Sequence, residues 1–401
     1  MSSDPTQPAV PALLATPARV LPALVLAQLA GTSPWFAVNA VMPDLQRQFG
    51  WPAEAVGTLT ATLQIGFIVG TLVFAVLAVA DRWPARRVFL LCALATAGCT
   101  VAAVAGAGHF GTMLAWRALT GFFLAGIYPV GMKLASQWFP RGLGVALGWL
   151  LAALVLGSAS PHALRFLGAA WPWQGVFFGV AAASVLAGLI VWLVLPEPPA
   201  RSGLPVLRLS ALTSVWRVPQ LRASVLGYFG HMWELYAMWV LVPLVLATRL
   251  VTESSVSGWT FAVLGLGAVG CVTGGMAVRR FGSARVSTVL LAVSGLCCVA
   301  APWTLNAPLA IFLGWLLVWG FTVAGDSPQF SALNAQNAPP QAVGSVLTLV
   351  NSAGFTISVL TIEGFVRLSQ TTPLAHVLPW LALGPLLGVL AMRPLWADPG
   401  R

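Results

Sequence analysis

Four ionisable residues stand in stretches otherwise too apolar to hold them. Glu234 and His231 lie in "GYFGHMWELYAMW", residues 227 to 239, Asp326 lies in "AGDSP", and Arg117 lies in "AWRALTG". A carboxyl and an imidazole taken out of water both lose part of the advantage of their charged forms, which brings proton exchange toward neutral pH. His231 precedes Glu234 by three residues on the same side of a helix, so the two are placed to share a proton or a hydrogen bond. Arg117 keeps its charge and needs an acid or an anion opposite it. With both acids ionised, Glu234, Asp326 and Arg117 sum to minus one, and one proton brings the set to neutral, which is a workable switch. Structural roles stay open for each: a hydrogen-bond anchor for Glu234 and His231, and a helix-kink cap for Asp326, where Pro328 removes a backbone donor and frees a carbonyl.

The elements that must position these groups are membrane spans. Charged residues make up 7% of the 401 residues, 58% are hydrophobic, and the mean hydropathy is +0.88, values that exclude a soluble domain of this size. The first eighteen residues lack a basic start and a cleavage site, so the first apolar segment is expected to be retained. The five cysteines, Cys92, Cys99, Cys271, Cys297 and Cys298, fall within apolar segments without metal-type spacing and are expected as buried free thiols. The net charge of +10 would suggest a nucleic-acid partner in a soluble chain, but here the basic residues stand between apolar segments, where topology explains them.

A helix needs about 20 apolar residues to cross the hydrocarbon core. Cutting the chain at Pro, Gly and charge clusters leaves twelve such segments, at 20–42, 55–79, 88–106, 110–136, 143–166, 173–195, 223–248, 257–278, 286–305, 307–334, 342–365 and 374–395. With the N-terminus in the cytoplasm, fifteen basic residues fall on that side, Arg141, Arg201, Arg208 and Arg401 among them, against Arg47, Arg165, Arg249 and Arg367 on the other. The positive-inside rule then places both termini in the cytoplasm. The long loop after span six divides the chain into a six-helix bundle at 1–196, a cytoplasmic linker at 197–222 and a second six-helix bundle at 223–401.

The two halves repeat. "WRALTGFFLAGIYPVG" from Trp116 and "WLLVWGFTVAGDSPQF" from Trp315 share Trp, Gly, Phe, Ala, Gly and Pro at an offset of 199 residues. "LAVADRWPARR" after span two and "GMAVRRFGSAR" after span eight align at 198, with Arg82 on Arg280, Pro84 on Gly282 and Arg87 on Arg285. Two six-span repeats of like orientation imply alternating access around a site at the membrane midplane.

On these residues the chain resembles the major facilitator superfamily over nearly its whole length. That superfamily's loop motif reads Gly, three residues, Asp-Arg, any residue, Gly, then Arg with a further Arg or Lys. Here the positions are Leu77, Asp81, Arg82, Pro84, Arg86 and Arg87, and the second copy keeps Gly275, Arg280 and Gly282, so the motif is degenerate. The resemblance implies that Asp81, Arg82, Arg86, Arg87, Gly275, Arg280 and Gly282 form a cytoplasmic gating element that pins helix ends in one conformation. Arg117 and Gly121 fit the superfamily's span-four Arg-x-x-x-Gly spacing. Gly148 and Gly157 fit part of a span-five antiporter motif, whose following glycines are missing, with Pro161 and His162 near that place.

Polar stripes show which faces look inward. Gln28, Thr32, Trp35 and Asn39 share one face of span one; Arg117, Thr120 and Tyr128 share one of span four; Thr322, Asp326 and Gln329 share one of span ten. Gln64 in span two and Asn351 in span eleven add to these. The resemblance assigns spans one, four, seven and ten to the central cavity. The expected lining is therefore Gln28, Trp35, Asn39, Gln64, Tyr128, Trp233, Tyr236, Gln329 and Asn351. Trp35, Trp233, Tyr236 and Trp239 are placed to stack on a solute or to anchor at the membrane surface.

The resulting expectation is an all-α membrane protein of twelve spans in two pseudo-symmetric bundles, sited in a bacterial inner membrane. It would be a secondary transporter of a small organic solute, coupled to protons, acting as a monomer in the lipid bilayer with no cofactor, metal or nucleic-acid partner. Within the superfamily the resemblance points to the cyanate-permease-like and nitrate/nitrite-porter-like group; nitrate itself is disfavoured because the predicted spans two and eight carry no arginine. The alternative is proton-driven efflux of a hydrophobic or cationic compound. An intramembrane enzyme would need a metal cluster or a nucleophile with an oriented base, and no such motif stands out.

Overall fold

The computed structural model describes residues 17–139, 143–197, 207 and 209–396. Arg141, Arg201, Arg208, Arg401 and most of the linker after span six lie outside the described residues.

Twelve apolar helices run at Val20–Phe49, Ala55–Val76, Ala85–Ala105, Phe110–Trp138, Leu143–Leu167, Gln174–Val194, Pro219–Ala247, Glu253–Phe281, Ser283–Thr304, Leu309–Asn337, Val343–Thr371 and Leu374–Ala391. The predicted spans match these within a few residues. The largest departure is at the end of span one, which continues seven residues further as the amphipathic stretch Met42–Phe49 and stops where Gly50 takes a left-handed conformation. Twelve crossings bring both described ends to one side of the molecule, called here the terminal side.

Spans one, four and ten are each broken near the middle where a proline is the second residue of a new helical segment: Ser33-Pro34, Tyr128-Pro129 and Ser327-Pro328. Proline has no N–H for the carbonyl four residues earlier, so Ala30, Ala125 and Ala324 lose a backbone donor. Two of these carbonyls recruit side chains instead: Ser33 Oγ donates to Ala30 O at 2.7 Å, and Cys271 Sγ to Ala324 O at 3.1 Å. Breaks at the middle of spans one, four and ten thus leave polar backbone at membrane depth, which is tolerated only where protein or a cavity covers it.

The sequence repeat reappears in the packing. Span four crosses span two so closely that a Cβ on Gly121 would strike Leu63 O; span ten crosses span eight with Gly320 against Val263 O. Gly70 against Phe122 O and Gly270 against Phe321 O form the companion pair. The conserved spacing of the two sequence copies is the spacing of two helix crossings that only glycine permits.

Across the two halves, span two lies along span eleven and span five along span eight. On the side opposite the termini an ion-pair network joins them. Glu253, at the start of span eight, meets Arg47 after span one and lies 3.4 Å from Arg165 at the end of span five, while Asp44 binds Arg47 at 2.7 Å and Arg165 at 2.9 Å. Among the described residues no ion pair joins the halves on the terminal side; Lys133–Asp81 and Arg86–Glu197 both close within the first half. Exposed pairs contribute about 0–1 kcal/mol each, enough together to bias two conformations that differ by a few kcal/mol. Glu253→Lys is therefore expected to raise the population open on the far side about three- to tenfold. Spin-label distances across the Arg47–Glu253 side measure it, and an unchanged distribution would remove the network from gating.

Candidate functional site

The site is built where the breaks in spans four and ten face span seven. A small cavity of about 40 Å³ lies between the halves there, bounded by Tyr128, Leu154, His231, Tyr236, Ser327 and Asn351, with Tyr228, Trp239, Ser331 and Phe355 completing the wall. At the span-ten break Asp326 leaves the first helical segment and opens the second, so its carboxylate stands beside span seven rather than along its own helix. His231 Nδ1 lies 2.9 Å from Asp326 Oδ1, and His231 Nε2 lies 2.9 Å from Ser327 Oγ. Both members of the pair are about fully buried, at 1% and 0% exposure. Nδ1 thus faces the acid and Nε2 faces the Ser327 hydroxyl, so each ring nitrogen meets a polar group.

Aromatic rings close the cavity above this pair and bridge the halves. Trp35 of span one stacks on Tyr236 of span seven with centroids 5.9 Å apart and planes 20° from parallel, and meets Phe355 of span eleven at 5.8 Å. Phe36 lies 6.4 Å from Tyr236 at 11°, and Phe67 packs on Phe355 at 4.8 Å.

Glu234 has a separate setting. Its Oε1 accepts from Ser294 Oγ and Trp319 Nε1 at 2.5 Å each and from Cys298 Sγ at 3.1 Å, so it is held between spans seven, nine and ten. The expected contact of Glu234 with His231 is not formed; His231 turns to Asp326, and Glu234 does not line the cavity. Replacing Glu234 by Ala would strand the Trp319 and Ser294 donors at about 1–3 kcal/mol each, lowering the melting temperature of the purified protein. Glu234→Gln keeps an acceptor oxygen and is expected to retain at least about half of gradient-driven uptake, because the His231–Asp326 pair is intact. Paired melting and uptake measurements check both; loss of uptake in a normally melting Glu234→Gln protein would return the coupling role to Glu234.

Arg117 also departs from expectation. Its guanidinium donates to Pro34 O at 2.9 Å and Trp35 O at 2.6 Å, the carbonyls exposed by the span-one break, and no acid lies within ion-pair distance among the described residues. Arg117, Glu234 and Asp326 do not meet as one switch.

Of the predicted lining, Tyr128, Tyr236 and Asn351 bound the cavity and Trp35 joins its aromatic cover. Trp233 does not: it packs on Phe365 at 5.9 Å, and its Nε1 lies 3.4 Å from Trp380 O. Asn39 Oδ1 accepts from Thr60 at 3.1 Å, tying spans one and two. Gln28, Gln64 and Gln329 are buried between helices with amide groups that have no hydrogen-bond partner among the described residues. Buried His162 lies in span five, away from the pair.

Residues 24–361 match the Major Facilitator Superfamily. The chain belongs to that superfamily. It is a multi-pass membrane transporter and not an enzyme. A chloramphenicol resistance protein from Streptomyces lividans is 28% identical over 280 residues, 68% of each chain. A 3-(3-hydroxy-phenyl)propionate transporter from Escherichia coli K12 is 29% identical over 226 residues, 54% of this chain and 52% of that one. Among solved structures, the proton:xylose symporter XylE bound to 6-bromo-6-deoxy-D-glucose superposes with a TM-score of 0.73 at 14% identity, covering 94% of each chain, a likeness of fold alone.

In this superfamily member the loop motif after span two is tied down by a residue the motif does not contain. Lys133, at the end of span four, binds the Asp81 carboxylate and the Ala80 carbonyl. Arg86 binds Glu197 at 3.0 Å and the Trp192 carbonyl, and its guanidinium lies over the Trp192 ring. Arg82 and Arg87 are exposed. In the second copy Arg280 lies over the Phe281 ring, Gly282 takes φ 81°, and Gly275 faces open space. Reasoning from sequence missed Lys133, Ser294, Cys298, Trp319 and the Asp44–Arg47–Arg165–Glu253 network. Only the Asp44–Arg47 spacing of three residues gave a local signal for any of them.

Proposed function

We propose that this protein is a proton-coupled secondary transporter that moves a small organic solute between its two six-span halves, with both termini in the cytoplasm of a bacterial cell. The observation that carries the reading is buried Asp326 2.9 Å from His231, which with Ser327 lines the cavity between the halves. An acid and an imidazole facing one another at membrane depth are retained at a cost of kcal/mol, and proton relays are where such groups are used. The rings beside the pair are Tyr228 and Phe330, 6.1 Å and 5.6 Å from His231, while Glu234 is held apart by Ser294, Cys298 and Trp319. The unpartnered amides of Gln28, Gln64 and Gln329 supply polar groups for a hydrated path. Placement in the cyanate-permease-like and nitrate/nitrite-porter-like group, action as a monomer, the division at 197–222 and residence in the inner membrane are parts of the same proposal.

Two of the relatives are named for different solutes. The Escherichia coli relative is named a transporter of an organic acid, while the Streptomyces relative is named for drug resistance and, with the aromatic rings here, supports efflux as a second reading. Purified protein in proteoliposomes, given a panel of labelled solutes with and without an imposed pH gradient, tests the proposal. Accumulation that follows the gradient supports it, and flux unaffected by the gradient for every transported solute overturns the coupling. Inside-out and right-side-out vesicles assign the direction.

A further inference from the structure

The seven-residue helix Ala211–Arg217 stands just ahead of span seven and turns away from it at Val218, whose backbone is extended. Span seven begins at Pro219, so the short helix lies at the level where that span enters the membrane on the terminal side. Trp83, Phe281 and Trp396 are exposed beside the terminal ends of spans two, eight and twelve and mark the same level as an aromatic belt.

The residues of this helix fall into three sectors. Counting about 100° of turn per residue, Ala211 and Val215 lie within about 40° of each other, Leu212 and Trp216 follow at about 100° and about 140°, and Thr213, Arg217 and Ser214 take about 200° to about 300°. Ala211 and Val215 are buried, and the helix packs on spans seven and eleven. Leu212 and Trp216 are 44% and 63% exposed, and Leu209, just before the helix, is 68% exposed. Thr213 and Arg217 are exposed on the remaining side, where Thr213 Oγ1 donates to Ser210 O at 2.6 Å. A helix lying between a protein core and water has two sides, one apolar and packed, the other polar. A third side, apolar and open, calls for a second apolar neighbour.

Charge identifies that neighbour. Between Glu197 and Glu234 the chain holds no acidic residue, and Glu234 is enclosed by Ser294, Cys298 and Trp319. Arg217 and Arg222 are both exposed, and Arg222 reaches back to donate to Trp216 O at 3.3 Å. Neither arginine has an ion-pair partner among the described residues. Two guanidinium groups beside an open leucine and tryptophan face match an anionic lipid surface, with acyl chains against the apolar sector and phosphates against the arginines. An acidic protein partner would first have to displace lipid from a face that already stands at the depth of the membrane.

We propose that this helix is a membrane-docking element specific for anionic lipid. Leu209, Leu212 and Trp216 enter the edge of the hydrocarbon on the terminal side, Arg217 and Arg222 bind head-group phosphates, and Thr213 faces water. The grip reaches the second half through the buried sector. Ala211 and Val215 rest on spans seven and eleven, so the bound lipid fixes to the plane of the bilayer the entry of the span that carries His231.

The test uses full-length protein carrying Leu212→Cys or, on the neighbouring sector, Thr213→Cys, each labelled with a nitrobenzoxadiazole dye. The five native cysteines are buried, and the parent protein put through the same labelling reads any background. Labelled protein is placed in phosphatidylcholine vesicles that contain a small share of either phosphatidylglycerol or phosphatidylcholine with a nitroxide on a shallow acyl position, and iodide serves as the quencher from water. The label at 212 is expected to be quenched by nitroxide lipid and shielded from iodide, and the label at 213 to behave the opposite way. Nitroxide phosphatidylglycerol should quench the label at 212 at least about threefold more strongly than nitroxide phosphatidylcholine. That ratio should fall to about one in the Arg217→Gln, Arg222→Gln double variant and in high salt. Both arginines are exposed, so the double variant is expected to melt like the parent in detergent. A label at 212 that iodide reaches freely overturns the docking, and one shielded from iodide and nitroxide lipid alike assigns the face to a protein partner instead. Equal quenching by the two lipids in the parent, or a ratio unchanged in a normally melting double variant, overturns the recognition of anionic lipid by these arginines.

Discussion

Asp326→Asn is expected to abolish accumulation driven by a pH gradient while leaving exchange of solute for solute. The substitution keeps the size of the side chain and an oxygen facing His231 Nδ1, so the 2.9 Å contact persists without the carboxylate charge. What disappears is a group whose charge changes when a proton arrives. Coupling between proton and solute requires two charge states that differ in solute affinity, and Asn has one. The initial rate of gradient-driven uptake should fall about 100-fold, with exchange within about threefold of the parent. His231→Gln should lower both, since the imidazole also holds Ser327 at the wall of the cavity. The measurement is paired uptake and exchange in the same proteoliposomes. Loss of both in Asp326→Asn, with normal melting, would assign Asp326 to solute binding rather than coupling.

The spans, their number and the internal repeat were legible in sequence because each rests on many residues at once. Apolar length fixes a span over about 20 positions, and the crossing that demands Gly121 and Gly320 writes itself into two copies of one motif. The site was legible only as a set of residue types. His231 and Glu234 are three residues apart, which on an α-helix is a rotation of about 60°. At the rim of a cavity that angle separates a side chain facing the span-ten break from one facing the groove between spans nine and ten. The same-face rule was too coarse by one helix width. Trp233 failed for the same reason, being turned toward Phe365 and the wall of span twelve.

Other partners could not be read because they are backbone or far apart in the chain. The carbonyls that hold Arg117 exist as acceptors only because Pro34 breaks span one, and a search for acids opposite an arginine passes over them. Glu253 meets Arg47 across 206 positions, joined only by the docking of the two halves. Proline positions were the better guide. At Pro328 the freed carbonyl was anticipated, and Cys271 takes it. The cysteines expected as inert buried thiols thus include one that closes a backbone break and another, Cys298, that donates to Glu234.

Arg117→Ala is expected to cost the most stability of any single change at the site. The side chain is 2% exposed and donates to Trp35 O and to Pro34 O, the latter shared with the Ala37 N–H, in the span-one break. Each buried acceptor left unpaired costs about 1–3 kcal/mol, and removal of the long side chain adds a cavity beside Trp35. The expected loss is about 3–6 kcal/mol, a large share of the 5–15 kcal/mol typical of folded domains. Arg117→Lys restores a charge but only one compact donor group where two carbonyls are spaced for a planar fork, so it should recover part of the melting temperature and little of the transport. These outcomes separate two roles. An arginine that only held an anionic solute could be replaced by Lys with an unchanged melting temperature and a raised KM. The carbonyl geometry requires that melting temperature and transport fall together, and a normally melting Arg117→Lys protein with altered KM alone would move the guanidinium from the span-one break to the solute.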